Sequence, residues 1–312
     1  MGKLGLSVLC VCALLAVCAS SASAQLVFGS TSTSTSNPCA MYLDVNSGVV
    51  TTLWNSASNK KVNGMAADLA NSRLYTNDAA RLNYWNFGSI GTVPTFIAGM
   101  YRTNDHVTFT ATGVDGLAFA NGLLYGSTKY ASTTYMRGIY QVATTSDGAT
   151  PTPHCVMTPL WLDPTGVPGT SSGTIALEGL DFNPADGLFY ATNTADTTGS
   201  GGTYTRGLYS IDAFGTGALT KVADFPAGRT GIDGLAIGGG KFWLTEQEPT
   251  ASRIDIYPYD PVAGTYGTTL YVPLTDASQR ATGAAWAPGA LPEPATLCLL
   301  AIGSLAMLRR RP

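Results

Sequence analysis

Hydrophobic and polar positions between residues 63 and 286 alternate in short runs broken by Gly, Asn or Ser, the period-two pattern of strands rather than the 3.6-residue pattern of helices. One run recurs in kind: a polar residue, Gly, a large, a small and a large side chain. It reads Asn63-Gly64-Met65-Ala66-Ala67, Asp115-Gly116-Leu117-Ala118-Phe119, Glu178-Gly179-Leu180-Asp181-Phe182, Asp233-Gly234-Leu235-Ala236-Ile237 and Thr282-Gly283-Ala284-Ala285-Trp286, with glycines 52, 63, 55 and 49 residues apart. After each of the first four copies come a turn and a second strand (Leu74–Asn77, Leu124–Ser127, Phe189–Thr192, Phe242–Thr245). A third strand then opens on Arg (Arg81, Arg137, Arg206, Arg253), and a less regular fourth follows near Val93–Ala98, Pro153–Thr158, Leu219–Asp224 and Thr269–Pro273.

Four short strands in each unit of about 50 residues predict an all-β chain, a β-propeller of five blades. The alternation of large and small residues in the first strand suits the crowded axis of such a ring. The fifth copy runs out of chain after its first strand, while the missing pieces stand near the other end: Leu26-Val27-Phe28-Gly29-Ser30-Thr31 matches Leu123-Leu124-Tyr125-Gly126-Ser127-Thr128, and Met41–Asp44 matches Leu208–Asp212. One blade is therefore expected to be split, with one C-terminal and three N-terminal strands closing the ring and leaving no free sheet edge.

The two ends depart from this pattern. Lys3, the apolar run Leu4–Val17 and the small residues Ala22-Ser23-Ala24 read as a helical secretion signal cut between Ala24 and Gln25. Val17 stands where lipid attachment at Cys18 would want a small residue. At the other end Pro292-Glu293-Pro294 precedes the apolar run Ala295–Leu308 and then Arg309-Arg310-Arg311. Fourteen helical residues rise about 21 Å, short of a hydrocarbon core of about 30 Å, so the run reads as a short membrane helix and a temporary anchor. The arginines keep their end cytoplasmic and leave the body across the membrane. Residues 292–312 resemble the PEP-CTERM signal of exported bacterial proteins. That resemblance implies recognition and removal by a membrane protease of the exosortase type, and a destination at the cell surface or outside it, in extracellular polysaccharide or biofilm.

Loss of both ends changes the charge. Without Lys3, Glu293 and the three terminal arginines, 13 basic residues face 19 acids, a net charge of −6, and no basic stripe invites nucleic acid. Charged residues make up 12% of the chain against a usual figure of about 25%, so Ser, Thr, Asn and Gly carry the polar surface. Such a surface is compatible with polysaccharide surroundings. Contact with membrane is expected only through the terminal segments. Of six cysteines, Cys39 and Cys155 remain in the body. Export invites a disulfide, but the repeat puts the two on outer strands two blades apart, so both are expected free, the loop carrying Cys155 being the one route to a bond. The longest spacing holds an insertion, residues 143–176, rich in Pro, Gly, Ser and Thr and expected on the surface.

Strand direction alternates, so the starts of first strands, the ends of second strands and the starts of third strands share one face. That face is expected to carry Asn63, Asp115, Glu178, Asp233 and Thr282 nearest the axis, then Asn77, Ser127, Asn193 and Glu246, then the four arginines. Two readings of the converging carboxylates stay open. All-oxygen donors without Cys or His suit a hard divalent cation, Ca²⁺, held by Asn63, Asp115, Glu178 and Asp233. Alternatively the acids bond to the arginines or cap turns. In repeat shape, without a diagnostic motif, the body resembles propellers of the gluconolactonase and NHL-repeat type. That resemblance implies a central metal which, in lactonases, polarises an ester carbonyl.

Other catalytic patterns are missing. His106 and His154 lack metal spacing, no nucleophile elbow or P-loop emerges, and Gly238-Gly239-Gly240 falls at a hairpin turn with no helix after it. Trp243 and Trp286 occupy repeat positions filled elsewhere by core aromatics and aliphatics. Trp54 and Trp161 have no repeat counterpart and are the candidates for stacking on a sugar. The reading is an exported binding or scaffold module in an envelope or exopolysaccharide setting; its alternative is a metal-dependent, lactonase-like hydrolase.

Overall fold

The computed structural model describes residues 25–31, 38–55, 62–78, 80–102, 114–128, 137–148, 154–164, 175–199, 202–248, 252–274 and 280–288. The secretion signal, the Pro-Glu-Pro tail and most of the insertion's loop lie outside them. The described residues are all-β, and no helix among them is long and apolar enough to cross a membrane.

The first three strands are β1 (Gln25–Thr31), β2 (Pro38–Asp44) and β3 (Val50–Asn55). A first complete unit holds β4 (Gly64–Asp68), β5 (Arg73–Asp78), β6 (Arg81–Asn86) and β7 (Thr95–Arg102); a second holds β8 (Leu117–Ala120), β9 (Leu123–Thr128), β10 (Gly138–Val142) and β11 (His154–Leu162). The third contains β12 (Leu177–Asn183), β13 (Leu188–Asn193), a small hairpin of β14 (Thr197–Gly199) and β15 (Gly202–Tyr204), then β16 (Gly207–Ile211) and β17 (Leu219–Ala223). In the fourth, β18 (Ile232–Gly238) and β19 (Lys241–Glu248) lead to β20 (Arg253–Asp260), which pairs with both β21 (Thr265–Tyr266) and β22 (Leu270–Pro273). The last strand, β23 (Arg280–Trp286), adds to β1, giving the sheet order β23-β1-β2-β3. Gly29 lies opposite Gly283 in that pair, so the split unit forms as the matching end sequences predict.

The innermost strands touch in a closed cycle: β4 with β8, β8 with β12, β12 with β18, β18 with β23, and β23 with β4. Glycine makes this approach feasible. A Cβ on Gly64 would stand 2.5 Å from the Asp115 carbonyl oxygen, one on Gly116 2.2 Å from that of Glu178, and one on Gly179 2.8 Å from the Leu235 nitrogen. Gly234 would meet the Gly283 carbonyl carbon at 3.2 Å, and Gly283 the Asn63 carbonyl oxygen at 3.0 Å, which returns to the start. Any side chain at these positions would push neighbouring backbones apart.

Aromatic rings fill the space between consecutive units. Tyr75 stacks on Phe119 (6.2 Å between centroids), Tyr125 meets Phe189 edge-on (5.1 Å), Tyr190 meets Phe242 edge-on (4.5 Å), and Trp243 stacks on Trp286 (5.6 Å). Such contacts add to the burial of large apolar area. They confirm Trp243 and Trp286 as packing residues.

One feature was not legible beforehand. The outer strands of the first and second units join: Gly99–Arg102 of β7 pair in parallel with His154–Met157 of β11, making one eight-stranded sheet. The fourth strand expected near residues 153–158, within the insertion, is present as β11. Cys39 lies on the third strand of its four-stranded sheet and Cys155 on the fourth strand of its unit. Both cysteines are buried and neither is in a disulfide, as the repeat map predicts.

Candidate binding face

The ends of second strands and the starts of third strands gather at one end of the units, because in each unit these two strands pair antiparallel. Asn63, Asp115 and Asp233 are half-buried at the start of their inner strands, and Glu178 is buried. Behind them the axis is apolar. Gly64, Gly116, Gly179 and Gly283, with Met65, Leu117, Leu180, Leu235, Thr282 and Ala284, line a narrow central recess with no room for a water molecule.

Most of the second ring of polar residues is committed to backbone. Asn77 accepts from Gly64 N (2.6 Å) and donates through Nδ2 to Val114 O of the next unit (2.6 Å). Ser127 does the same in the second unit, accepting from Gly116 N and donating to Glu178 O, both at 3.0 Å. Thr282 Oγ1 donates to Val62 O, joining the split unit to the first. In the third unit Gly179 N donates to Thr192 Oγ1 (2.8 Å), and in the fourth the side chain opposite Gly234 is Thr245. The expected Asn193 and Glu246 stand one residue beyond these threonines, which hold the repeat position of Asn77 and Ser127, and pair with Leu177 and Ile232 across the irregularities in β12 and β18. Asn193 instead accepts from Ala176 N and donates to the Ala195 and Thr205 carbonyls.

Glu246 belongs to a denser group in the fourth unit. Its Oε1 accepts from Gly231 N (3.0 Å) and its Oε2 from the Tyr257 hydroxyl (3.2 Å), with Arg229 Nε at 3.7 Å. Asp255, fully buried and opposite Glu246 in the β19–β20 register, accepts from Arg253 Nε (2.6 Å); its Oδ2 lies 3.3 Å from the Tyr257 hydroxyl and 3.5 Å from an Arg229 nitrogen. Burial and then the Glu246 and Asp255 charges push the Tyr257 hydroxyl well above the usual range, so it stays a donor between two carboxylates. Arg229 and Arg253 are partly exposed, and the Arg253 guanidinium lies 4.2 Å from the ring centroid of Tyr271, itself 57% exposed. In the third unit, Thr194 donates its hydroxyl to Glu178, and Arg206 donates from Nε to the Thr194 carbonyl (2.9 Å) and pairs with Asp196 at 3.5 Å.

The cation reading fits this arrangement poorly. Among the described residues no group of three or more His, Cys, Asp or Glu side chains is placed to hold a metal, and the Glu178 carboxylate is engaged by Thr194. The four repeat arginines differ in setting: Arg81 is exposed, Arg137 buried, Arg206 and Arg253 half-buried. Trp54 and Trp161 require correction as sugar platforms. Trp54 is 1% exposed and packs on Trp85 (5.5 Å), and Trp161 is 5% exposed and donates to Gly217 O (2.9 Å). A ring enclosed on both faces has no surface left for a ligand.

Sequence reasoning missed Arg229, Asp255, Tyr257 and Tyr271. A signal existed in β20, where Arg253, Asp255 and Tyr257 alternate with Ile254 and Ile256 and so point one way. Arg229 comes from the loop before β18, and no period predicts it.

All-β units meeting through glycine at a common axis define a propeller-like protein. A family model of the PEP-CTERM protein-sorting motif matches residues 290–311. The chain therefore carries a signal that marks export, anchoring at a membrane during sorting, and processing by an exosortase-type membrane protease. No curated protein matches the chain. Among solved structures, a chain of a nidogen/laminin complex is 12% identical with a TM-score of 0.48, covering 85% of this chain and 98% of its own. A Bacteroides caccae protein of unknown function is 8% identical with a TM-score of 0.49 (85% and 99% covered), and apo AztD from Citrobacter koseri is 11% identical with a TM-score of 0.38 (85% and 98% covered). Similarity at this level carries no argument about activity.

Proposed function

We propose that the chain is an exported five-bladed β-propeller acting as a binding or scaffold module at the cell surface or in the matrix, with polysaccharide as its ligand class. The cycle of inner-strand glycines supports the blade count. The observation that carries the binding role is the group in the fourth unit: buried Glu246 and Asp255 fix two guanidinium groups, and Tyr271 presents an exposed ring against Arg253. Rigid donors beside an aromatic face suit hydroxyl-rich ligands, and preorganisation limits the entropy lost on binding.

Affinity electrophoresis of the purified protein through acidic and neutral polysaccharides tests this reading. Retardation is expected, and Tyr271→Ala or Arg229→Ala should weaken it by about tenfold, the equivalent of roughly 1.4 kcal/mol. Unaltered mobility in every polysaccharide, or retardation indifferent to both changes, would refute it. A lactonase-like hydrolase built on Asn63, Asp115, Glu178 and Asp233 makes a different prediction: a melting temperature lowered by chelator and restored by Ca²⁺.

A further inference from the structure

In every unit the ends of first and third strands and the starts of second and fourth strands lie at the end opposite the polar face, here called the turn face. Large exposed apolar side chains collect there: Val49 (54% exposed) in the split unit, Leu69 (47%) and Ile90 (52%) in the first, Leu123 (43%) in the second, Phe214 (45%) in the third and Val262 (95%) in the fourth. Both ends of the body emerge on this same turn face. β23 runs from the polar face to the turn face, β1 starts at the turn face, and Ala287 N donates to Gln25 O (3.0 Å). From Pro288 to the apolar run at Ala295 is seven residues, at most about 25 Å of extended chain.

We propose that the turn face is the membrane-facing surface, and that it rests on the bilayer while the C-terminal run is embedded, so that the polar face looks away from the lipid. This inference rests on reading residues 295–308 as a membrane anchor. Apolar tips contributed by all five units around a ring fit a broad flat partner better than a grooved one, and a short tether keeps that partner within reach. The aspartates of the same turns accept backbone N–H groups, as Asp44 does from Asn46 and Ser47, Asp212 from Thr216, and Asp260 from Val262 and Ala263. Their charge remains, so contact should favour neutral over anionic lipid.

The test uses the full chain in phosphatidylcholine vesicles, compared with a Val49→Asp, Ile90→Asp, Val262→Asp variant, by vesicle flotation and amide hydrogen exchange. All three sites are exposed, and an unchanged melting temperature verifies that the variant folds. Expected are flotation of both proteins and exchange in residues 46–49 and 212–217 that is slower in the parent by about fivefold, with residues 226–231 of the polar face unchanged. Flotation with equal exchange at the turns would overturn the inference and leave the anchor standing. Failure to float would overturn both.

Discussion

The α-carbon of Gly116 lies so close to Glu178 of the next unit that a methyl group there would stand 2.2 Å from its carbonyl oxygen and 2.6 Å from the Leu180 nitrogen. Both are backbone atoms, which cannot rotate away. Gly116→Ala is therefore expected to lower stability by about 2–3 kcal/mol. Denaturant unfolding checks this, with Gly148→Ala as reference: that glycine has a φ of 71° and open space around it. Its cost should be the smaller one of left-handed backbone, about 1 kcal/mol.

Asn77 joins two units with one amide. Asn77→Ala strands the Gly64 N–H and the Val114 carbonyl in a buried place, so a loss of about 2 kcal/mol or more is expected in the same assay. Asn77→Asp can accept from Gly64 but cannot donate to Val114, and should be no better.

Asp181 occupies the slot that holds Ala66, Ala118, Ala236 and Ala285 in the other copies. Its carboxylate accepts from Ile237 N of the next unit (2.6 Å) and from Phe182 N (2.8 Å). The residue as a whole is half-buried, yet the carboxylate is enclosed, and burial pushes it up to about 7 despite the two bonds. Since the folded value lies above the unfolded one, the folded state holds the proton more tightly. Stability from this group is full below pH 4 and is lost as pH rises to 7. Asp181→Asn cannot titrate, so the melting temperature of the variant relative to the parent should climb between pH 4 and pH 8. A constant difference across that range would contradict the assignment.

Asp255 is fully buried beneath two arginines. Asp255→Ala leaves Arg229 and Arg253 without that partner, and partial exposure of both moderates the cost to about 2–3 kcal/mol. Thermal unfolding gives the size, and a rise in the salt dependence of polysaccharide binding would mark the freed positive charge.

Burial raises both body thiols, Cys39 and Cys155, to about 12. At pH 8 neither should react with iodoacetamide in the folded protein, and both should do so in denaturant. Peptide mass spectrometry separates them from the cysteines of the terminal segments.

The units were legible because close approach at the axis admits only glycine, and that restriction recurs in sequence at every inner strand. The polar ring was legible less well. Asn77 and Ser127 fall where the repeat puts them, whereas in the third and fourth units that repeat position is held by Thr192 and Thr245, and the more strongly polar Asn193 and Glu246 that drew the expectation lie one residue beyond it. Trp54 and Trp161 misled because an aromatic without a repeat counterpart can fill a space that only one pair of neighbours creates. The Arg229 cluster depends on a loop meeting two strands, a relation that no local pattern encodes.

The pairing of β1 with β23 also sets an order of events. The ring is held shut by hydrogen bonds between strands whose glycines, Gly29 and Gly283, are separated by nearly the whole body. Contacts so remote form late, after the intervening loop has been closed. During export the N-terminal three strands emerge first and must wait, with the β1 edge unpaired, until residue 286 has crossed. Only then does the circle close, a few residues ahead of the segment at which translocation halts.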